Sequence, residues 1–269
     1  MFRSIIPAPG PAPVAQSAAG AVVVGVDDSP AGHTAVVHAA IEAELHHRDL
    51  RLLHVQPAGG AGLSARDHGA RLLERTTERV RACAPAVAVS GHLAFGAAAT
   101  VLLAELADDD LVVLGDRSGP AHAAFGLCIG ERVAACHRGP ALVVRLPGLL
   151  PRPGLADRPI VVGVDDPSRV TPALDFARTE ARLRGCELVV LHAAGDGPVP
   201  PGRREGPDGV RVYHHAVAGE PAAALLAASA DAAALVVGRH SGDGAATPLA
   251  GPVCRALVRG AACPVFLIG

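Results

Sequence analysis

The chain has 269 residues, 50% apolar, 2% aromatic and 19% charged, so any core must be built from Ala, Val and Leu, and the length suits two small globular domains. All 24 Lys-plus-Arg positions are Arg, and without Lys there is no P-loop lysine, no Schiff-base amine and no kinase-type strand lysine. The net charge of −2 divides into 11 Arg against 14 acidic residues over 21–150 and 12 against 12 over 151–269, and neither half carries a basic nucleic-acid footprint.

In chain order, residues 1–20 hold one Arg and an apolar run broken by Pro7, Pro9, Pro11 and Pro13, which fits neither a signal h-region nor a membrane span. They read as a disordered tail. A first strand follows over Val22 to Val26, then a helix capped by Ser29 with Pro30 at its first position. A second apolar run, RLLHV, ends near Val55. The stretch LSARDHGARLLERTTERVRAC predicts a helix with Ser64 and Asp67 as a capping box and Ala70, Leu73, Thr77 and Val80 on its buried face. Short Val/Leu runs then alternate with Ala-rich helical stretches up to a final strand, Ala141 to Arg145.

The chain then repeats itself. AVVVGVDDSP at 21–30 returns as PIVVGVDDPS at 159–168, which places Asp27 and Asp165 138 residues apart, and Leu53-His54 maps onto Leu191-His192 at the same offset. Beyond that the offset drops to 123: Gly96 matches Gly219, and Gly115 matches Gly238. The lost residues are those of the first half's second helix, and the second half has DGPVPPGRREGPDG there, which reads as loop. A helix starting near Pro172 with Gly185 as its C-cap is predicted in the second half.

The expected architecture is therefore α/β, two tandem doubly wound, Rossmann-like parallel-sheet domains over 21–146 and 159–269, joined by a Pro/Gly-rich linker over 147–158. The last strands, Ala141 to Arg145 and Val265 to Ile268, are apolar and proline-free and would expose pairing edges if left open. The six cysteines form no C-x-x-C pair and read as small buried hydrophobes of a reducing compartment.

Ligands of open α/β sheets bind beyond the carboxyl ends of the strands, which selects Asp27, Val55 and Gly115 in one half and Asp165, Ala193 and Gly238 in the other. An acid there can accept from a ribose hydroxyl or an exocyclic amine, and glycines let backbone N–H groups approach phosphates. The competing reading is that Asp27-Asp28 only caps a helix. No H-x-x-x-H or acid-assisted histidine cluster is evident, so no metal is inferred, and the absence of a G-x-S-x-G elbow weakens an enzymatic reading.

GVDDSP after a strand, Gly96-Ala97-Ala98 and Gly219-Glu220-Pro221 before helices, and LVVLGDR…ERVAACHRGPALVV with its echo VVGRH…LAGPVCRALVRGAACPVFLI resemble the universal stress protein family over residues 21–269. The resemblance implies a non-enzymatic, cytoplasmic stress-response regulator whose halves form an internal pseudo-dimer, with the last strands against each other in one continuous sheet. It also implies ATP binding where the pattern Gly-x2-Gly-x9-Gly-Ser/Thr is kept. Carried over, the nucleotide contacts fall on Asp27, Val55, Gly115, Ser118 and Gly130, and on Asp165, Ala193, Gly238, Ser241, Gly251 and Val253.

The pattern is degenerate: Ser241 and Pro252 replace the second glycine and the hydroxyl residue in the second half, and Leu127 intrudes in the first, where Gly130 stands nearby. Proline offers a phosphate neither an N–H nor a hydroxyl. AMP or adenosine is thus an easier ligand than ATP, and a nucleotide-free interaction scaffold is the alternative. A protein partner or homodimer is expected over the sheet face that the missing helix leaves bare.

Overall fold

The computed structural model describes residues 20–60, 63–116, 129–145, 158–166, 169–193, 202–205, 209–239 and 251–269. Most of the predicted tail (residues 1–19 of 1–20) and linker (residues 147–157 of 147–158), and Ser118, Leu127 and Ser241, lie outside the described residues.

Each half begins with a β-strand and a capped helix. Strand β1 (Val22–Gly25) leads into α1 (Pro30–Leu45), whose Ser29 cap accepts from the Gly32 N–H at 3.0 Å with Pro30 at the first position. Its counterpart β6 (Ile160–Val164) leads into α5 (Pro172–Arg184), capped by Thr171, which accepts from Leu174 N–H at 3.2 Å, and closed by Gly185 at φ 67°. These ends are where the sequence placed them.

The first half continues through β2 (Leu50–Gln56), α2 (Leu63–Cys83), β3 (Val89–Phe95), α3 (Ala98–Glu105), β4 (Leu111–Asp116), α4 (Ile129–Cys136) and β5 (Ala141–Arg145). The second runs through β7 (Leu188–Ala193), β8 (Gly202–Glu205), β9 (Arg211–Val217), α6 (Pro221–Ala228), β10 (Ala234–Gly238), α7 (Pro252–Gly260) and β11 (Val265–Ile268). Gly96 at φ 146° and Gly219 at φ 99° make the same turn before α3 and α6, a backbone region that L side chains rarely adopt.

All eleven strands form one sheet in the order β3-β2-β1-β4-β5-β11-β10-β6-β7-β9-β8. Pairing is parallel within each half apart from β8, and antiparallel where the halves meet, with Val265 opposite Val143 and Leu267 opposite Ala141. The expected doubly wound architecture and the contact of the two last strands are both present. Parallel strands covered on both faces must be apolar throughout, and Val22, Val24, Leu50, Leu52, Val113, Leu142, Val162, Val236 and Phe266 are all fully buried or nearly so.

Three local expectations need correction. Helix α2 starts at Leu63, so Ser64 lies inside its first turn and not at the cap. Its buried face runs through Gly69, Leu72, Leu73, Thr76 and Val80, while Ala70 is exposed; the stripe is rotated by about one residue because Leu72 joins Leu73 against the sheet. The stretch read as loop contains β8, which pairs antiparallel with β9 and covers an edge that would otherwise be open.

The cysteines also divide: Cys254 and Cys263 are buried, whereas Cys83 and Cys136 are exposed on helices. Burial pushes the Cys263 thiol up to about 12.

Candidate functional site

In the first half, the strand ends are covered by the start of α1. Asp27 is half-buried, and its Oδ1 accepts from the Ser29 N–H at 3.1 Å and from the Ser29 hydroxyl. It lies against Gly32, where a Cβ would stand 2.1 Å from that oxygen. The carboxylate thus helps hold the helix start, as the capping reading expects. Gly115 is required by packing: a Cβ there would meet the Ala31 carbonyl oxygen at 2.5 Å. Val55 is half-buried in β2, beside His54, whose Nδ1 donates to the Val26 carbonyl at 2.7 Å. Gly130 is buried in the first turn of α4.

The second half differs at the helix start. Helix α1 starts three residues after Asp27, whereas α5 starts seven after Asp165. Four residues of helix are about one turn, or about 6 Å of axis. The space left is a cavity of about 330 Å³, lined by Asp165, Thr171, Gly238, Arg239, Gly251 and Val253 among others. The structure therefore brings together four sequence-selected residues, Asp165, Gly238, Gly251 and Val253; Ala193, at the end of β7, is not part of the lining. Among the described residues nothing lies within 4 Å of a Cβ built on Gly251, at the start of α7.

Arg239 was not singled out from the sequence, and it dominates this cavity. It is 8% exposed and reaches across the junction, donating to the carbonyls of His137 and Gly139 of the first half and of Leu267 at 3.0 Å. Among the described residues no carboxylate pairs with it, and its Nε has no hydrogen-bond partner. Burial lowers the guanidinium to about 10, so it is charged at neutral pH. The signal was available in the repeat: at the offset of 123, Arg239 corresponds to Asp116, which is buried and faces Arg145 at 3.4 Å. The wall of one half is cationic where the other carries an anion.

His137, whose carbonyl receives Arg239, is itself buried, and its Nε2 donates to the Asp110 carbonyl at 2.9 Å. Burial lowers its pKa from the ordinary value. The unfolded ring takes a proton near about pH 6.5 and the folded ring only at lower pH, so its contribution is full above that value and is lost as the pH falls through the folded pKa. On acidification from about pH 7 to about pH 5, the urea midpoint of the wild type is expected to drop further than that of His137→Gln.

A second cluster, also missed, lies where α1 meets α5. Glu42 and Glu180 stand at equivalent positions of the repeat, and so do His46 and Arg184. Arg184 binds one oxygen of each carboxylate, and His46 Nε2 lies 2.6 Å from Glu180 Oε1. Glu42 is 2% exposed and Glu180 fully buried; burial pushes the Glu42 carboxyl up to about 7, against the pull of Arg184. The expectation of no acid-assisted histidine cluster is overturned, because Glu180 comes from the other half. The spacings Glu42-x3-His46 and Glu180-x3-Arg184, superposed by the repeat, were its only trace.

No helix among the described residues is long and apolar enough to cross a membrane. The sequence profile of the Universal stress protein family matches residues 20–145 and 201–269. The chain is 29% identical over 287 positions to "Universal stress protein Rv2623" of Mycobacterium tuberculosis (strain ATCC 25618 / H37Rv), covering 91% of this chain and 95% of that one. It is 28% identical over 300 positions to "Universal stress protein Rv1996" of the same strain, covering 91% and 94%. Its fold matches the crystal structure of a universal stress protein from Archaeoglobus fulgidus DSM 4304 with a TM-score of 0.67 at 19% identity, over 94% of this chain and 99% of that one.

Proposed function

The chain belongs to the universal stress protein family, and from that premise we propose that it is a non-enzymatic stress-response regulator that binds an adenine nucleotide in its second half, between residues 159 and 269. The observation that carries this reading is the cavity at the ends of β6 and β10, with the buried Arg239 in its wall, which pairs with no carboxylate among the described residues. A buried cation without a carboxylate favours an anionic ligand, and the start of α7 adds the positive end of a helix dipole. Asp165, at the other side, is the acceptor for a ribose hydroxyl or an exocyclic amine.

Pro252 removes one N–H from the start of α7, so the phosphate grip falls on Arg239 and the N–H groups of Val253 and Cys254. The first half, between residues 21 and 146, is the weaker candidate, since α1 packs onto Gly115 and Asp116 brings an anion to the equivalent wall.

The test is calorimetric titration of the purified chain with ATP and with AMP, paired with mass spectrometry of small molecules released from it. Gly251→Leu is expected to weaken nucleotide binding at least about tenfold, because its side chain enters open space inside the cavity, while Gly251→Ser, a good N-cap, leaves affinity within about threefold. Both variants should unfold within about 1 kcal/mol of the wild type. A blank with both nucleotides and no released ligand would leave the nucleotide-free scaffold as the reading.

A further inference from the structure

The junction between α1 and α5 buries two carboxylates against one guanidinium, which leaves one negative charge in excess. The oxygens are not used alike. Arg184 takes Glu42 Oε1 and Glu180 Oε2, which turns Glu42 Oε2 and Glu180 Oε1 toward His46. Glu42 Oε2 is buried and accepts no hydrogen bond; His46 Nε2 stands 3.8 Å from it. Such an oxygen is costly to leave without a cation or a donor.

We infer that Glu42 Oε2, Glu180 Oε1 and His46 Nε2 form a three-ligand site for a divalent transition-metal ion of the zinc class, shared between the two halves of the chain. His46 Nε2 lies 2.6 Å from Glu180 Oε1 and 3.8 Å from Glu42 Oε2, and one ligand atom from each of the three residues lies within 4.8 Å of the other two. In a tetrahedral site with bonds of about 2.0–2.1 Å, ligand atoms stand about 3.3 Å apart. The 2.6 Å contact of His46 with Glu180 opens slightly, and the 3.8 Å contact with Glu42 closes slightly, both by less than about 1 Å of side-chain movement.

The surroundings suit such an ion. Arg184 fixes the oxygens that do not ligate, in the way that hydrogen-bonded partners orient metal-bound carboxylates. Phe176 stacks on the His46 ring at 6.5 Å between centroids and 22° between planes, which holds the imidazole in plane. His46 keeps 12% side-chain exposure, which gives an entry path and a position for water. An imidazole with two carboxylates selects zinc, cobalt or nickel over calcium and magnesium, which take oxygen ligands in larger number. Because Glu42 lies on α1, His46 at its C-cap and Glu180 on α5, the ion would tie the halves together independently of the β5–β11 pairing and of any ligand in the cavity.

The experiment uses the full chain stripped with chelator and then titrated with Co(II), read by its visible ligand-field bands, with Zn(II) counted by elemental analysis after desalting. One ion per chain is expected, with tetrahedral or five-coordinate Co(II) bands, a higher melting temperature, and at least tenfold weaker binding in His46→Gln and Glu42→Gln. If the wild type retains no ion and its melting temperature is unmoved, the cluster holds a proton only and the proposal is overturned. It is equally overturned if either variant, folded by circular dichroism, keeps wild-type stoichiometry and affinity, since the ion then sits on other histidines. Should one of the two variants fail to fold, the other still decides the question, since each removes a different ligand.

Discussion

Arg184→Met is expected to lower the unfolding free energy by about 3–5 kcal/mol in chelator at neutral pH, the largest single effect we foresee. Methionine keeps most of the volume of the stem but leaves Glu42 and Glu180, 2% and 0% exposed, facing each other with only His46 between them. Glu42, pushed up to about 7 by burial even with Arg184 beside it, then holds its proton to a still higher pH in the folded chain, so the loss is smaller near about pH 5 and grows as the pH rises. Urea unfolding at several pH values checks both the size and the slope. Replacing all three residues together, with Glu42→Leu, Glu180→Leu and Arg184→Met, should recover most of the stability, because an apolar packing removes the desolvation cost along with the pairing. A loss for Arg184→Met that matched an exposed pair, below about 1 kcal/mol, would mean that α1 and α5 part easily.

Gly115→Ala comes second, at about 1–3 kcal/mol of destabilisation. The added Cβ would stand 2.5 Å from the Ala31 carbonyl oxygen and 2.7 Å from its carbon, and both are backbone atoms of α1 that cannot rotate away. Strand β4 lies between β1 and β5, so it cannot retreat without disturbing two ladders. Gly251→Ser is the contrast, since the same kind of substitution meets open space and should be nearly silent in the same denaturation series. Gly115 stands at the first glycine of the family pattern and Gly251 at its third, and the first serves packing while the second lines the cavity.

The proposed nucleotide and the proposed metal are separable. The cavity is lined by residues of the second half around Arg239, and the junction cluster is built from α1 and α5. Nucleotide binding that survives His46→Gln, with metal binding that survives Gly251→Leu, is the expected pattern.

Much of the fold was legible because its determinants are local or periodic. The repeat of VVVGVDD as IVVGVDD fixed two equivalent halves; alternating apolar runs and Ala-rich stretches fixed a covered parallel sheet; Ser29-Pro30 and Pro172 with Gly185 marked helix ends to the residue. The apolar, proline-free last strands showed edges that need covering, and the family resemblance implied that they cover each other, as they do. The rotated face of α2 and the edge strand β8 were less legible, because which side of a helix is buried and which segment closes a sheet depend on what lies opposite.

The chemistry was decided by tertiary structure. That Asp165 faces a cavity while Asp27 is bound up in a cap follows from α5 starting one turn late, a shift that the matching DD dipeptides conceal. Arg239 draws its three carbonyls from strands and turns 28 to 102 residues away, and Glu42 meets Arg184 across 142. Short-range pattern and backbone geometry therefore carried the family resemblance, the repeat and the doubly wound class of each half, while the full strand order, with β8 at its edge, came only with the structure. Only the folded chain decided where an unneutralised charge is buried, because that depends on which distant groups share one low-dielectric space, and no local pattern records it.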